Sequence, residues 1–170
     1  MTNPTERMTT DSPERRALAL LAERGWRLAT AESCTGGGIG ARLTSVPGAS
    51  DHYVGGVVSY ANEVKRDVLG VPEATLRDRG AVSEETVRAM CAGVARLCAA
   101  ECAVAVSGVA GPGGGTPEKP VGTVWVGALT PEGCVARLFR FPGDREEVRN
   151  AAQAAALDLL CRMLRGEEAI

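Results

Sequence analysis

Aromatic residues are scarce in this chain, which has two Trp, two Tyr and two Phe among 170 residues. Its core must therefore be assembled from Ala, Val and Leu, small side chains that suit close packing of helices on a sheet. An aromatic-rich β-sandwich is disfavoured. Stacking platforms for nucleotide bases are lacking too, and a net charge of −2 gives no general attraction to phosphate backbones. Nucleic acid is thus excluded as a main partner. No run reaches the roughly 18 apolar residues that cross a bilayer, which excludes a spanning helix. The opening stretch MTNPTERMTTD lacks the apolar segment of a secretory signal and reads as a disordered tail over 1–11. A cytoplasmic location is expected. Histidine occurs once, as His52, so neither a His-rich metal site nor a well-supplied Ser-His-Asp triad is available.

Lysine is almost as rare. Of 19 basic residues only Lys65 and Lys119 are lysine, and the other 17 are arginine. Cysteine is present six times but never as CxxC. Cys91, Cys98 and Cys102 fall at i, i+7 and i+11 of a helical stretch, one face, and read as buried free thiols.

Hydrophobic residues make up 45% and charged residues 24% of the chain, the balance of a globular domain. Apolar periodicity and punctuation divide residues 12–170 into alternating elements of one domain. Ser12-Pro13 opens a helix to Arg24, and Gly25 closes it. Strands are expected at 26–31, 53–60, 102–106, 121–129 and 134–141, the last two as a hairpin about Pro131-Glu132-Gly133. Helices are expected at 39–45, 62–69, 73–79, 83–99 and 144–164. The order predicts an α/β fold, a three-layer α/β/α domain on a mixed sheet of about five strands. Gly-rich loops at 33–38 and 107–120 follow directly on strands, the edge where open α/β sheets bind ligands.

Ser33 stands where a strand gives way to three glycines and a helix. Free N–H groups at such a turn can hold an anion or the oxyanion of acyl transfer, although helix capping by Ser33 or Thr35 explains the same pattern. Lys65 can lose its proton when desolvated, which arginine cannot do. Tyr60, five residues earlier, can relay a proton between them, or Lys65 can act directly. The glycines of 107–115 supply backbone donors or a lid, but neither GxxxxGK[ST] nor a dinucleotide GxGxxG is present. Arg145 and Arg149, in the first turns of the last helix, have the chemistry of a phosphate clamp.

Six segments occur in one order: TAESCTGG, GGVVSYANEVK, GAVSEETV, VSGVAGPGGG, EKPVGTVW and GDREEVR. Together they resemble the CinA C-terminal domain family, in its standalone, PncC-type form. The resemblance implies an anticodon-binding-domain-like α/β/α fold and a nicotinamide-nucleotide amidohydrolase that needs no cofactor and no metal. Its substrate would be nicotinamide mononucleotide, deamidated to nicotinic acid mononucleotide and ammonia. By motif, Ser33 is the nucleophile, with Tyr60 and Lys65 as its activators. Thr35, Gly36 and Gly37 would bind the oxyanion through backbone N–H groups. Ser107, Gly108, Ala110 and Gly111 would face the ribose and phosphate, and Arg145 would meet the phosphate. Two alternatives carry over with the family: a competence- or recombination-associated binding module, and a nucleotide sensor. The Ala-rich final helix is compatible with a homo-oligomer.

Overall fold

A computed structural model describes residues 11–168. The expectation of a disordered tail at 1–11 falls outside them except for Asp11. In chain order the elements are α1 (Pro13–Arg24), β1 (Leu28–Glu32), α2 (Gly38–Thr44), β2 (Tyr53–Val58), α3 (Asn62–Asp67), α4 (Glu73–Arg79), α5 (Glu84–Cys98), β3 (Cys102–Gly108), β4 (Thr123–Thr130), β5 (Gly133–Arg140) and α6 (Arg145–Leu164). A 3₁₀ turn, Ala49–Asp51, leads into β2.

The five strands form one mixed sheet in the order β2-β1-β3-β4-β5. β1 is parallel to both β2 and β3, whereas β3, β4 and β5 run antiparallel in turn. Every residue of β1 is buried, as are the first six of β3. Central strands covered on both faces bury every side chain, which is why LATAE and CAVAV lack the alternation of a half-exposed strand. The polar Thr30 and Glu32 of β1 are buried with hydrogen-bond partners. β2, at the edge, alternates instead.

One face of the sheet packs Leu28, Val104 and Val126 against α1, α2 and α6, where Leu157 and Leu160 are buried. The other packs Ala29, Ala31 and Ala105 against α5 through Val87, Met90 and Val94. Helices thus lie on opposite faces at the β1/β3 junction. That arrangement opens a crevice at the carboxyl ends of β1, β2 and β3.

Local signals explain the element ends. Gly25 stops α1 in the left-handed conformation, φ 67°. Ser83 caps α5 by accepting the Thr86 N–H, and Asp144 with Glu147 forms a capping box on α6. Two details differ from expectation. Trp26 lies outside β1, with the Arg24 guanidinium 5.0 Å from its ring. Cys102 opens β3 as expected for a strand from 102, and Ala99 at φ 50° ends α5, so the face that was to join Cys102 to Cys91 and Cys98 cannot form. The expected three-cysteine helical face therefore reduces to Cys91 and Cys98.

Candidate active site

β1 delivers Glu32 to the end of the sheet, and its carboxylate turns inward instead of toward solvent. It is 2% exposed and accepts hydrogen bonds from Thr35 Oγ1 at 2.7 Å, Ile39 N at 2.8 Å and Gly40 N at 3.1 Å. A carboxylate on the first N–H groups of α2 satisfies donors that the helix cannot pair internally. The helix start is thereby occupied by the protein's own anion. Sequence reasoning passed over Glu32, although an acid immediately before a Gly-rich turn into a helix was its visible signal.

The turn after Glu32 is held from several directions. Gly36 N donates to Ser33 O at 3.0 Å and Gly38 N to Thr35 O at 3.0 Å. Gly36 and Gly37 have φ 61° and 97°, a region that favours glycine. At Gly38 the reason is space: a Cβ there would lie 2.3 Å from Gln153 Nε2. Arg149 donates to the carbonyls of Cys34 and Thr35 at 3.1 and 3.2 Å. It braces the turn, a use the phosphate-clamp reading did not foresee.

Ser33 N is still tied to β3, donating to Val106 O at 2.9 Å. Its side chain meets Lys65, brought in by the first turns of α3. Lys65 Nζ donates to Ser33 Oγ at 2.9 Å, to Ser59 O at 2.6 Å and to Tyr60 O at 3.2 Å. The amine is 1% exposed and its three contacts are all to neutral oxygens. Burial lowers its pKa from the ordinary 10.5 to about 8, against an opposing effect of Cys34. Cys34, the neighbour of Ser33, has its thiol pushed up to about 11 by burial. It stays protonated near neutrality and is no rival nucleophile.

Tyr60 occupies a different place from a relay between these two. Its side chain is 62% exposed, and its hydroxyl accepts from Arg145 Nη2 at 3.2 Å. Arg145 Nη1 donates to Gly111 O at 2.8 Å, so one guanidinium links the 107–120 loop to Tyr60. The loop is further fastened by Lys119 Nζ, which donates to Arg79 O at 2.9 Å. His52 precedes β2 at the opposite edge of the sheet and bonds Trp26 O through Nδ1 at 3.1 Å. It takes no part in this site.

Ser33, Lys65, Tyr60, Ser107, Gly108 and Ala110 line a cavity of about 220 Å³, with Arg145 at its border. Ala110 and Arg145 also line a second cleft of about 690 Å³ that runs along the start of α6 past Asp144, Arg149 and Gln153. Of the other sequence-predicted site residues, Thr35 is fully buried with its hydroxyl on Glu32. Gly36 and Gly37 shape the turn, and Gly111 presents its carbonyl to Arg145.

A serine at a strand-to-helix turn, hydrogen-bonded to a desolvated lysine beside an open cleft, sits at the carboxyl end of the sheet of an α/β domain. The chain belongs to the CinA C-terminal domain family, which matches residues 10–164. The CinA-like protein of Thermotoga maritima is 47% identical over 151 residues, 89% of this chain and 37% of that protein. The CinA-like protein of Mycolicibacterium paratuberculosis is 50% identical over 145 residues, 82% of this chain and 33% of that protein. The chain thus spans about a third of the length of these relatives. Among solved structures, the competence/damage inducible protein CihA of Agrobacterium tumefaciens shares 41% identity at a TM-score of 0.86, covering 90% of this chain and 93% of that one. A CinA superfamily protein of Klebsiella pneumoniae shares 40% at 0.87, covering 91% and 96%.

Proposed function

We propose that the chain is an amidohydrolase that converts nicotinamide mononucleotide and water to nicotinic acid mononucleotide and ammonia. One observation carries the reading: Lys65 Nζ, buried and 2.9 Å from Ser33 Oγ, is paired with no carboxylate among the described residues. A lysine whose pKa falls to about 8 spends part of its time neutral at physiological pH, as a base must.

The reaction is acyl transfer in two halves. Neutral Lys65 takes the Ser33 proton, and Ser33 Oγ bonds to the carboxamide carbon. The developing oxyanion needs donors from the turn. Gly36 N–H is committed to Ser33 O, so Thr35 and Gly37 are the backbone candidates that remain of the predicted three. The Lys65 ammonium then returns its proton to the leaving nitrogen, the C–N bond breaks and ammonia departs. Water, deprotonated by Lys65, cleaves the ester and regenerates Ser33. The ring carboxamide belongs in the 220 Å³ cavity, and the ribose phosphate leads past Ala110 to Arg145. Arg145 offers the bidentate geometry a phosphate takes.

The names of the solved relatives refer to competence and damage induction. A non-catalytic module bound to a competence or recombination protein is the second reading. It leaves the desolvated Lys65 without a purpose, since a buried amine beside a serine contributes nothing to a surface interaction. Incubating the purified protein with nicotinamide mononucleotide decides between them. Ammonia and the acid nucleotide are expected in equal amounts. No release by a folded protein would overturn the enzyme reading in favour of the non-catalytic module, or of a sensor if the nucleotide is still bound.

A further inference from the structure

The connector from α4 to α5 is fixed with unusual care for four small residues. Gly80 O accepts hydrogen bonds from Ser83 Oγ at 2.9 Å and from Thr86 Oγ1 at 2.7 Å. Lys119 Nζ, reaching from the glycine-rich loop, holds Arg79 O at 2.9 Å. Between these anchors lie Ala81 and Val82, and both line the 220 Å³ cavity that holds Ser33 and Lys65. Elsewhere that cavity offers hydroxyls, the Lys65 amine, the Asn62 amide, the Cys34 thiol and the Arg145 guanidinium. Ala81 and Val82, with Ala110, supply an apolar surface within it.

At about 220 Å³ the cavity is smaller than the roughly 300–1,000 Å³ that encloses a whole drug-sized ligand. That is room for a ring and its carboxamide, with the larger cleft continuing past Ala110 and Arg145. An apolar wall held rigid suits the face of a flat ring, which loses no conformational freedom on docking. It gives nothing to the flexible, hydrated stem of an aliphatic amide.

We propose that Val82, supported by Ala81, is the specificity wall of the site: it packs against the face of the ring that bears the carboxamide and selects planar heteroaromatic amides over aliphatic primary amides. The proposal rests on the amidohydrolase reading. It gives the 80–83 connector a role in substrate choice, separate from the chemistry of Ser33.

Two variants test it, each assayed for ammonia release from nicotinamide mononucleotide and for labelling of Ser33 by methanesulfonyl fluoride, a reagent too small to need the wall. Val82→Phe fills the ring position; kcat/KM falls about tenfold or more, while labelling stays within about twofold of wild type. Val82→Thr keeps the shape but places a hydroxyl against the ring; KM rises several-fold with kcat nearly unchanged. Wild-type kcat/KM in a folded, labelled Val82→Phe overturns the proposal. If that variant does not fold, an unchanged KM in Val82→Thr overturns it equally. A wild-type protein that is labelled at Ser33 yet releases no ammonia instead overturns the amidohydrolase reading, and the wall with it.

Discussion

Lys65 Nζ lies 2.9 Å from Ser33 Oγ, and no side chain stands between them. The contact is made by two residues 32 positions apart, one at the end of β1 and one on α3. It exists because β1 and β2 are parallel neighbours whose carboxyl ends open at the same edge. The direct contact is what supports the proposal of Lys65 itself as the base; Tyr60, 62% exposed, lines the same cavity.

The first consequence is a pH dependence of activity. Only neutral Lys65 can accept the Ser33 proton, so kcat/KM should rise with pH and level off above about 8, the lowered pKa of the amine. At pH 7 roughly a tenth of the plateau value is expected, one unit below the pKa. A kcat/KM profile from pH 6 to 9.5 checks this, and a flat profile would contradict it. Lys65→Arg should be inactive across the range, because guanidinium does not lose its proton.

The same burial costs stability, with a definite sign. Below about pH 8 the amine is charged both folded and unfolded, and the desolvation penalty is fully present. Between about 8 and 10.5 the unfolded chain holds a proton that the folded one has released, so stability rises with pH. The pKa difference corresponds to roughly 3 kcal/mol, less whatever the three hydrogen bonds of Nζ return. Lys65→Met should therefore raise Tm at pH 7 while abolishing activity. The gain should shrink as the pH climbs from 8 toward 10.5. Thermal melts of both proteins at pH 7 and pH 10 measure it.

Tyr60 and Lys65 should separate in kinetics. The Tyr60 hydroxyl faces Arg145, whereas the amine of Lys65 touches Ser33, the proposed nucleophile. Tyr60→Phe should retain at least about tenfold more kcat than Lys65→Met. Equal losses from the two would show that the hydroxyl moves into the proton path when substrate binds.

Glu32 offers a structural prediction. Its two oxygens accept three hydrogen bonds from the turn and from α2. Glu32→Gln keeps the shape but turns one acceptor into a donor facing a backbone N–H. A loss of about 1–3 kcal/mol is expected from the unmatched pair, read by urea denaturation. Activity should fall as well, because the same turn carries Ser33.

Much of the fold is legible in the sequence because its signals are local. Apolar runs bounded by Gly and Pro mark the five strands, and Ser83 and Asp144 announce their helices. The continuous burial of LATAE and CAVAV separates central strands from the alternating edge strand β2. Within the site, Lys65 stood out because lysine is so rare here, and Ser33 because it precedes three glycines. What stayed hidden depends on tertiary contact. Nothing in the sequence says that Glu32 turns inward onto α2, or that Arg149 crosses from α6 to the carbonyls of Cys34 and Thr35. Three consecutive glycines do not show what requires them, and at Gly38 it is Gln153 that fills the space a Cβ would take. Ala81 and Val82 carry no chemical signature at all, and only the packing of α4 against α5 brings them to the cavity.

The most direct test of the account is ammonia release from nicotinamide mononucleotide by wild type and Ser33→Ala side by side, with circular dichroism on both. Release by the wild type is expected, with a fall of about 10³-fold or more in Ser33→Ala and unchanged spectra and melting. Wild-type turnover in a folded Ser33→Ala protein would contradict it.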